Sequence, residues 1–138
     1  MYKFKIPYSV RVADINYGGH VSNAAVMNFF QDGRIAYLNN FDFTELDIGG
    51  VGIIIPEAHV RYLKEMFLGD ILQVEVRINS MRNSSMVMQY QIVRDEEICV
   101  EGSTNMVAFD YDRRKSVRIP PLFRERVADF EGRSDWVL

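Results

Sequence analysis

One segment constrains the fold of this chain more than any other, because residues 22–39 read as a long helix that is apolar on almost all sides. Alanine, valine, methionine, isoleucine, leucine and aromatic residues fill most of its surface, and Asn28, Gln31 and Asp32 share the remaining strip. A helix of this kind is buried in the interior of a protein. Ser22 is the expected N-cap, since its hydroxyl can accept a hydrogen bond from the first turn.

Most of the remaining chain alternates between apolar and polar residues, which is the pattern of strands with one buried face. The first run covers residues 4–12, and the later runs cover about 58–62, 72–79, 86–92 and 98–109. A short strand at 117–119 and a helix at about 122–130 are expected to follow. The sequence therefore predicts an α+β fold, in which an antiparallel sheet of five to six strands wraps around one buried helix. A second subunit is expected to cover the rest of that helix.

The composition excludes several classes of protein. A length of 138 residues suits one domain, with a core over about 3–121 and a C-terminal helix and tail over 122–138. A net charge of −3 argues against a nucleic-acid binder, and no apolar run approaches the length of a membrane span. One cysteine and two histidines leave no disulfide framework and no closed zinc site. The N-terminus lacks a signal-peptide core, so we expect a cytoplasmic protein.

The segment 14–23 carries the residues with the most chemical information, because it connects the first strand to the helix. Continuing the alternation of that strand is expected to turn Asp14 and Asn16 toward the helix. Gly18-Gly19 permits a tight turn with positive φ and the close approach of a ligand. The helix then begins near Asn23 with unpaired amides and the positive end of its dipole. Such a site stabilises an oxyanion that develops on a bound carbonyl.

This segment resembles the hotdog-fold thioesterases of the 4-hydroxybenzoyl-CoA thioesterase family, whose motif is D-x-D-x-x-G-H-V-x-N, with E-x-A-R late in the helix that follows. The motif residues stand here as Asp14, Asn16, Gly19, His20, Val21 and Asn23, with Gln31-Asp32-Gly33-Arg34 in the helix. The later landmarks that match are Tyr62, Gly69-Asp70, Gly102, Phe109-Asp110 and Arg118-Ile119-Pro120. The resemblance covers residues 4–121, almost the whole chain.

The resemblance implies a hotdog fold and a thioester hydrolase. Its substrate would be an acyl-CoA or an acyl-carrier-protein thioester, and its products a free carboxylic acid and a thiol. Members of this family form homodimers or homotetramers with active sites at subunit interfaces, usually without a metal. Coenzyme A is then part of the substrate and is not a retained cofactor. No nucleic-acid or membrane partner is implied.

The chain departs from the family pattern at two acidic positions, where it carries Asn16 and Gln31. An amide can orient water or a carbonyl, but it cannot accept a proton at neutral pH. The expected catalytic base is therefore Asp14 or Glu57, and Asp32 is a third choice. Glu57 lies at a strand position where some relatives, including dihydroxynaphthoyl-CoA thioesterases, also carry glutamate. Asn16 and Gln31 would then position the reactants.

Other residues of the motif, together with one strand and one hairpin, are the candidates for binding the substrate. The resemblance implies oxyanion and substrate-positioning roles for His20, Ser22 and Asn23. The expected substrate-binding residues, including coenzyme A contacts, are Gly19, His59, Arg82, Ser84 and Ser85. A polar hairpin turn explains the last three equally well.

Each catalytic candidate also has a structural interpretation. Asp14 can accept backbone amides in the turn before the helix, and Asn16 can form an Asx turn. Glu57 and His59 can belong to an ordinary solvated strand face. Two other functions stay open for the same reasons. One is a hotdog protein that binds acyl thioesters or an acyl carrier protein without hydrolysis, and the other is a dehydratase of the same fold.

Overall fold

A computed structural model describes residues 1–137 and contains six strands and two α-helices. In chain order these are β1 (Phe4–Ser9), α1 (Asn23–Asn39), β2 (Gly52–Tyr62), β3 (Ile71–Met81), β4 (Ser85–Arg94), β5 (Glu97–Asp110), β6 (Lys115–Ser116) and α2 (Pro121–Glu131). Two 3₁₀ turns, Val12–Asp14 and Ser134–Trp136, complete the regular structure. The order of one strand, one long helix and then several strands is the order that the sequence predicts.

The strands form one antiparallel sheet in the order β1-β3-β4-β5-β2, and the short β6 pairs with β5. β1 and β2 are therefore the two edges of this path. Pro7 lies in β1, an edge position that tolerates the missing backbone donor of proline. The outer edge of β2 has no partner strand within residues 1–137 of this chain, and an unpaired strand edge of this kind can form hydrogen bonds with a strand of another chain.

α1 packs on one face of the sheet and supplies the centre of the core. Its residues Phe29, Phe30, Tyr37 and Leu38 are all at most 1% exposed. Gly33 faces β3, and a Cβ atom at that position would lie 2.8 Å from Val76 Cγ2. The absence of a side chain there lets the helix approach the sheet closely. The predicted burial of the helix against the sheet is thus confirmed.

One face of α1 is open in a single chain. Asn28, Gln31 and Asp32 are exposed, as the sequence predicts for the polar strip. Met27 and Ile35 are 37% and 40% exposed in the single chain. The sheet of one chain covers only one side of the helix, as the sequence leads us to expect, and burial of the other side by a second subunit stays a prediction.

A buried polar network joins α1 to the sheet. Arg34 Nε donates to Glu45 Oε2 at 2.6 Å, and its Nη1 donates to the Tyr90 hydroxyl at 3.0 Å. The Tyr90 hydroxyl also lies 2.7 Å from Thr104 Oγ1. Burial raises the pKa of Tyr90, so its hydroxyl stays protonated at neutral pH. This network fixes the position of α1, and hence of its N-terminus, relative to the sheet.

Three boundaries differ from the sequence prediction. β1 ends at Ser9, because the 3₁₀ turn at Val12–Asp14 interrupts the alternation. β2 begins at Gly52, earlier than the alternating run indicates. The last strand is Lys115–Ser116 and not 117–119, since Ile119 turns into the core and is 2% exposed. The predicted C-terminal helix is confirmed as α2. Across residues 1–137, none of the helices is long and apolar enough to span a membrane.

Candidate active site

The turn between β1 and α1 is held by the carboxylate of Asp14. Its Oδ2 atom accepts hydrogen bonds from the Tyr8 hydroxyl at 2.7 Å and from the Arg11 backbone N–H at 2.9 Å. Burial and the hydrogen bond to Asp14 raise the pKa of Tyr8 to about 12, so the phenol is a donor at neutral pH. The structural interpretation of Asp14, as an acceptor that ties the turn together, matches these contacts.

Asn16 forms an Asx turn, which is the structural interpretation that the sequence allows for this residue. Its Oδ1 atom accepts from the Gly18 N–H at 2.9 Å, and its backbone oxygen accepts from the Gly19 N–H at 3.0 Å. Gly19 has φ of +79°, which confirms the expected tight turn. The side chain of Asn16 is exposed. The 3₁₀ turn breaks the strand alternation, so alternation does not set the direction of Asp14 and Asn16.

The N-terminus of α1 is capped as predicted. Ser22 is in the extended conformation, and its Oγ accepts from the Ala25 N–H at 3.1 Å. The amides of Asn23 and Ala24 belong to the first turn, where helix geometry provides no partner within the helix. Both residues are exposed, so these donors face solvent at the positive end of the helix.

A cleft of about 170 Å³ lies beside this helix N-terminus, and we call it the helix-entry cleft. Its walls include His20, Asn23, Tyr62 and Glu65. The Tyr62 hydroxyl donates to the backbone oxygen of Asn23 at 3.3 Å, and His20 Nε2 lies 3.6 Å from Glu65 Oε2. The cleft therefore places a carboxylate and an imidazole next to free helix amides.

A second polar group lies on β2 and the neighbouring strands, and we call it the edge-strand group. Glu57 Oε1 lies 3.1 Å from His59 Nε2 and also accepts a hydrogen bond from Asn105 Nδ2. Arg82 and Ser85 border a groove of about 350 Å³ that also contacts Asn105. Ser84 lies with Arg82 in the turn between β3 and β4, directly before Ser85.

The two groups are well separated within one chain. Glu57 precedes Tyr62 by five residues on β2, a distance of about 17 Å along an extended strand. Gln31 lies on the exposed face of α1, eight residues or about 12 Å along the helix from Asn23.

The structure thus gathers only half of the predicted site residues. Those that it brings to the turn and helix entry are Asp14, Asn16, Gly19, His20, Ser22 and Asn23. Those that it places elsewhere in a single chain are Gln31, Glu57, His59, Arg82, Ser84 and Ser85. Across residues 1–137, His, Cys, Asp and Glu side chains form no group of three or more that could hold a metal ion.

Sequence reasoning missed Glu65, the only carboxylate among the described residues that border the helix-entry cleft. Glu65 lies in the connection between β2 and β3, where apolar and polar residues follow no period. The sequence marks Tyr62 only as a landmark of the resemblance. The one signal that could have pointed to Glu65 is its place three residues after that landmark.

Comparison with known proteins identifies the family of this chain. The family model described as the thioesterase-like superfamily matches residues 10–127. The acyl-CoA thioester hydrolase YbgC of Escherichia coli O6:H1 is 28% identical over 131 residues, which cover 93% of this chain and 96% of that protein. The acyl-acyl carrier protein thioesterase ATL3 of Arabidopsis thaliana is 25% identical over 137 residues, which cover 96% of this chain and 72% of that protein.

Solved structures show the same architecture. A thioesterase from Thermus thermophilus, crystallised in complex with coenzyme A and zinc, is 26% identical and superposes with a TM-score of 0.86 over 96% of both chains. The fold predicted from the resemblance is therefore confirmed as a hotdog fold. The family model covers most of the sequence, and the chain belongs to the thioesterase-like superfamily.

Proposed function

We propose that this chain is an acyl-CoA thioesterase, which hydrolyses a thioester to a carboxylic acid and a thiol. Family membership and the acyl-CoA thioester hydrolase relatives support this activity. The observation that carries the proposal is the N-terminus of α1. It is capped by Ser22 and opens at Asn23 into the helix-entry cleft.

The helix N-terminus supplies the electrostatic part of the reaction. The amides of Asn23 and Ala24 donate to the thioester oxygen, which becomes an oxyanion when a nucleophile attacks the carbonyl carbon. The positive end of the helix dipole stabilises the same negative charge. His20 lines the cleft where the acyl thioester lies, and coenzyme A is part of the substrate and not a retained cofactor.

Asp14 and Glu57, the two acids that the sequence predicts as the base, are each poorly placed for that role in a single chain, for different reasons. Asp14 already accepts two hydrogen bonds that hold the turn, so a role as base would disturb the entry to α1. Glu57 is far from the helix-entry cleft of its own chain and reaches such a cleft only in an oligomer. Asn16 and Gln31 are exposed amides that cannot accept a proton; Asn16 positions reactants at the turn, and Gln31 does so only in an oligomer.

A homodimer, alone or as half of a homotetramer, is part of this proposal. The outer edge of β2 offers a strand for antiparallel pairing with a second copy. The half-open apolar residues Met27 and Ile35 on α1 provide further surface that an oligomer can bury. We expect sedimentation equilibrium to show at least a dimer, and a stable 16.0 kDa monomer at micromolar concentration would contradict it.

The edge-strand group is proposed to bind the coenzyme A part of the substrate. Arg82 can contact phosphate and Ser85 borders the same groove, while Ser84 before β4 and His59 on β2 provide further polar side chains. We also propose that the protein works in the cytoplasm, where its single buried cysteine, Cys99, stays reduced.

A thiol-release assay across aliphatic and aromatic acyl-CoA substrates tests the function. The expected result is release of coenzyme A from at least one substrate by the wild-type protein. The exposed amides Asn16 and Gln31 favour a second candidate, a protein that binds acyl thioesters without hydrolysing them. Calorimetric binding of an acyl-CoA with no thiol release from either acyl-CoA or acyl-carrier-protein substrates would support that candidate.

A further inference from the structure

We propose that Glu65 is the general base of the hydrolysis and that His20 is the residue that positions it. This inference rests on the proposed thioester hydrolysis. It assigns the proton-accepting role, which Asn16 and Gln31 cannot fill, to a carboxylate that already lies beside the helix N-terminus.

The first support is the geometry of the pair. His20 Nε2 lies 3.6 Å from Glu65 Oε2, and both side chains border the helix-entry cleft with Asn23. The other ring nitrogen, Nδ1, lies 3.3 Å from the backbone oxygen of Val21, so the imidazole is held between this carbonyl and Glu65. Catalytic contacts of this kind are often longer before substrate binds and shorten in the complex. The His20 side chain is 36% exposed and the Glu65 side chain 65%, so water reaches the carboxylate directly.

The second support is that the backbone around Glu65 is fixed although its side chain is exposed. The Val21 N–H donates to the Met66 oxygen at 2.7 Å, which ties this connection to the residue before the helix cap. Arg94 Nη1 donates to the backbone oxygen of Glu65 at 2.8 Å. These two hydrogen bonds hold the backbone of Glu65 beside the helix entry, and the contact with His20 orients its side chain.

The third support is that neighbouring charges leave Glu65 available. Lys64, the cation next to it in the chain and in the cleft wall, pairs with Glu97 at 3.3 Å. Asp14 is the other acid near the helix entry, and its carboxylate already accepts two hydrogen bonds within the β1–α1 turn. Among the described acids near this cleft, Glu65 therefore has the geometry of a proton acceptor.

The proposed step uses only water and the substrate, and its atoms and electrons balance. A water molecule beside Glu65 bonds through its oxygen to the thioester carbonyl carbon and gives one proton to the carboxylate. The carbonyl π electrons move to oxygen, where the amides of Asn23 and Ala24 stabilise them. When this oxyanion collapses, the C–S bond breaks and its electron pair leaves on sulfur. Protonated Glu65 returns its proton to that thiolate, and the carboxylic acid product ionises in solution.

Steady-state thiol release by the full chain tests the assignment. We expect Glu65→Gln to lower kcat by about 10²–10⁴-fold with KM changed less than about threefold, the range for losing a general base. Glu65→Asp should retain more activity than Glu65→Gln, because it keeps a carboxylate. Glu125→Gln, which alters a glutamate on α2 outside both groups, is the matched control and should retain wild-type kcat. Circular dichroism verifies that each variant is folded.

A double-mutant cycle separates positioning by His20 from a merely structural role. His20→Gln should lower kcat about tenfold in the wild type but by less than about twofold in Glu65→Gln, since groups that act as a unit are not additive. A Glu65→Gln variant with more than a third of wild-type kcat would overturn the assignment, as would equal effects of His20→Gln in both backgrounds. If the wild type releases no thiol from any substrate, the proposed function fails and this assignment fails with it.

Discussion

The molecule contains two glutamate–histidine pairs, and they differ in almost everything except residue type. Glu57 and His59 are two residues apart on β2, with 3.1 Å between Oε1 and Nε2, and both side chains are more than half exposed. His20 and Glu65 are 45 residues apart in the chain and lie 3.6 Å apart in the helix-entry cleft. The shorter contact belongs to the open strand surface, and the longer one to the cleft.

The difference between the two pairs shows that a contact between separate segments is better evidence for a functional site than a contact within one strand. Residues i and i+2 of a strand always share a face, so any glutamate and histidine at that spacing can meet there. The contact between His20 and Glu65 forms only because the β1–α1 turn and the β2–β3 connection converge on the helix N-terminus. Convergence of separate segments beside free amides is what makes the second pair a candidate site.

The largest effect outside the proposed base is expected at Asp14. Replacing Asp14 by Asn removes the charge from two hydrogen bonds and should lower the free energy of unfolding by about 1–2 kcal/mol. Turnover by the folded variant should fall less than tenfold. Denaturant unfolding and thiol release measure the two effects, and Tyr8→Phe is the control that removes one donor but keeps the carboxylate. A loss of 10²-fold or more in turnover with unchanged stability would make Asp14 the base.

A smaller effect is expected at Glu57, and it tests the comparison of the two pairs directly. Glu57→Gln should lower turnover less than tenfold, equivalent to under about 1.4 kcal/mol, because the proposed base is Glu65 and Glu57 does not border the helix-entry cleft of its own chain. His59→Gln, measured by the same thiol-release assay, is the matched control on the same strand.

The outcome that would reverse the comparison is specific. If two β2 edges paired antiparallel about a point midway between residues 59 and 60, Glu57 would lie opposite Tyr62 of a second copy. Tyr62 contacts Asn23, so this register would bring Glu57 to the other copy's cleft. A loss of 10²-fold or more in Glu57→Gln would return the base role to Glu57 and indicate this dimer.

The fold could be predicted from the sequence wherever one face of an element is fully buried. Leu72, Val74, Val76 and Ile78 are at most 2% exposed, and their spacing of two gives β3 directly. Prediction was wrong where local hydrogen bonds replace the periodic pattern, as in the 3₁₀ turn before α1. Alternation cannot reveal such a turn, because its stability comes from the contacts of Asp14 and not from burial.

The candidate site divides in the same way. Ser22 and the beginning of α1 could be predicted because capping is local in sequence. Glu65 could not, because its contact with His20 spans two connections without periodic pattern. The sequence instead favoured Glu57, because a strand holds a base rigidly and some members of the resembling family carry glutamate at this position.

A moderate effect on stability is expected at the helix cap. Ser22→Ala removes the acceptor for the Ala25 N–H and should lower the free energy of unfolding by about 1 kcal/mol. Ser22→Thr keeps a hydroxyl and is the control, with a smaller loss. Because the cap defines the first turn that carries the proposed oxyanion donors, denaturant midpoints and kcat should fall together. An unchanged midpoint would remove Ser22 from the capping role.

The smallest effect on stability is expected at Asn16, and its effect on activity tests how far the family's usual chemistry can be restored. Asn16→Asp keeps an oxygen that can accept from Gly18 N–H, so the Asx turn should persist, with the free energy of unfolding changed by less than about 0.5 kcal/mol. The new carboxylate adds a second proton acceptor at the position where the resembling family carries its acid. Thiol release should therefore stay equal or rise in the variant.

The sharper measurement is Asn16→Asp introduced into the Glu65→Gln variant, because that variant lacks the proposed base and a new carboxylate can restore the most activity there. Recovery of activity in that double variant would show that either position can serve as the base. A fall of more than tenfold in Asn16→Asp alone would show instead that the amide group itself is needed at this turn.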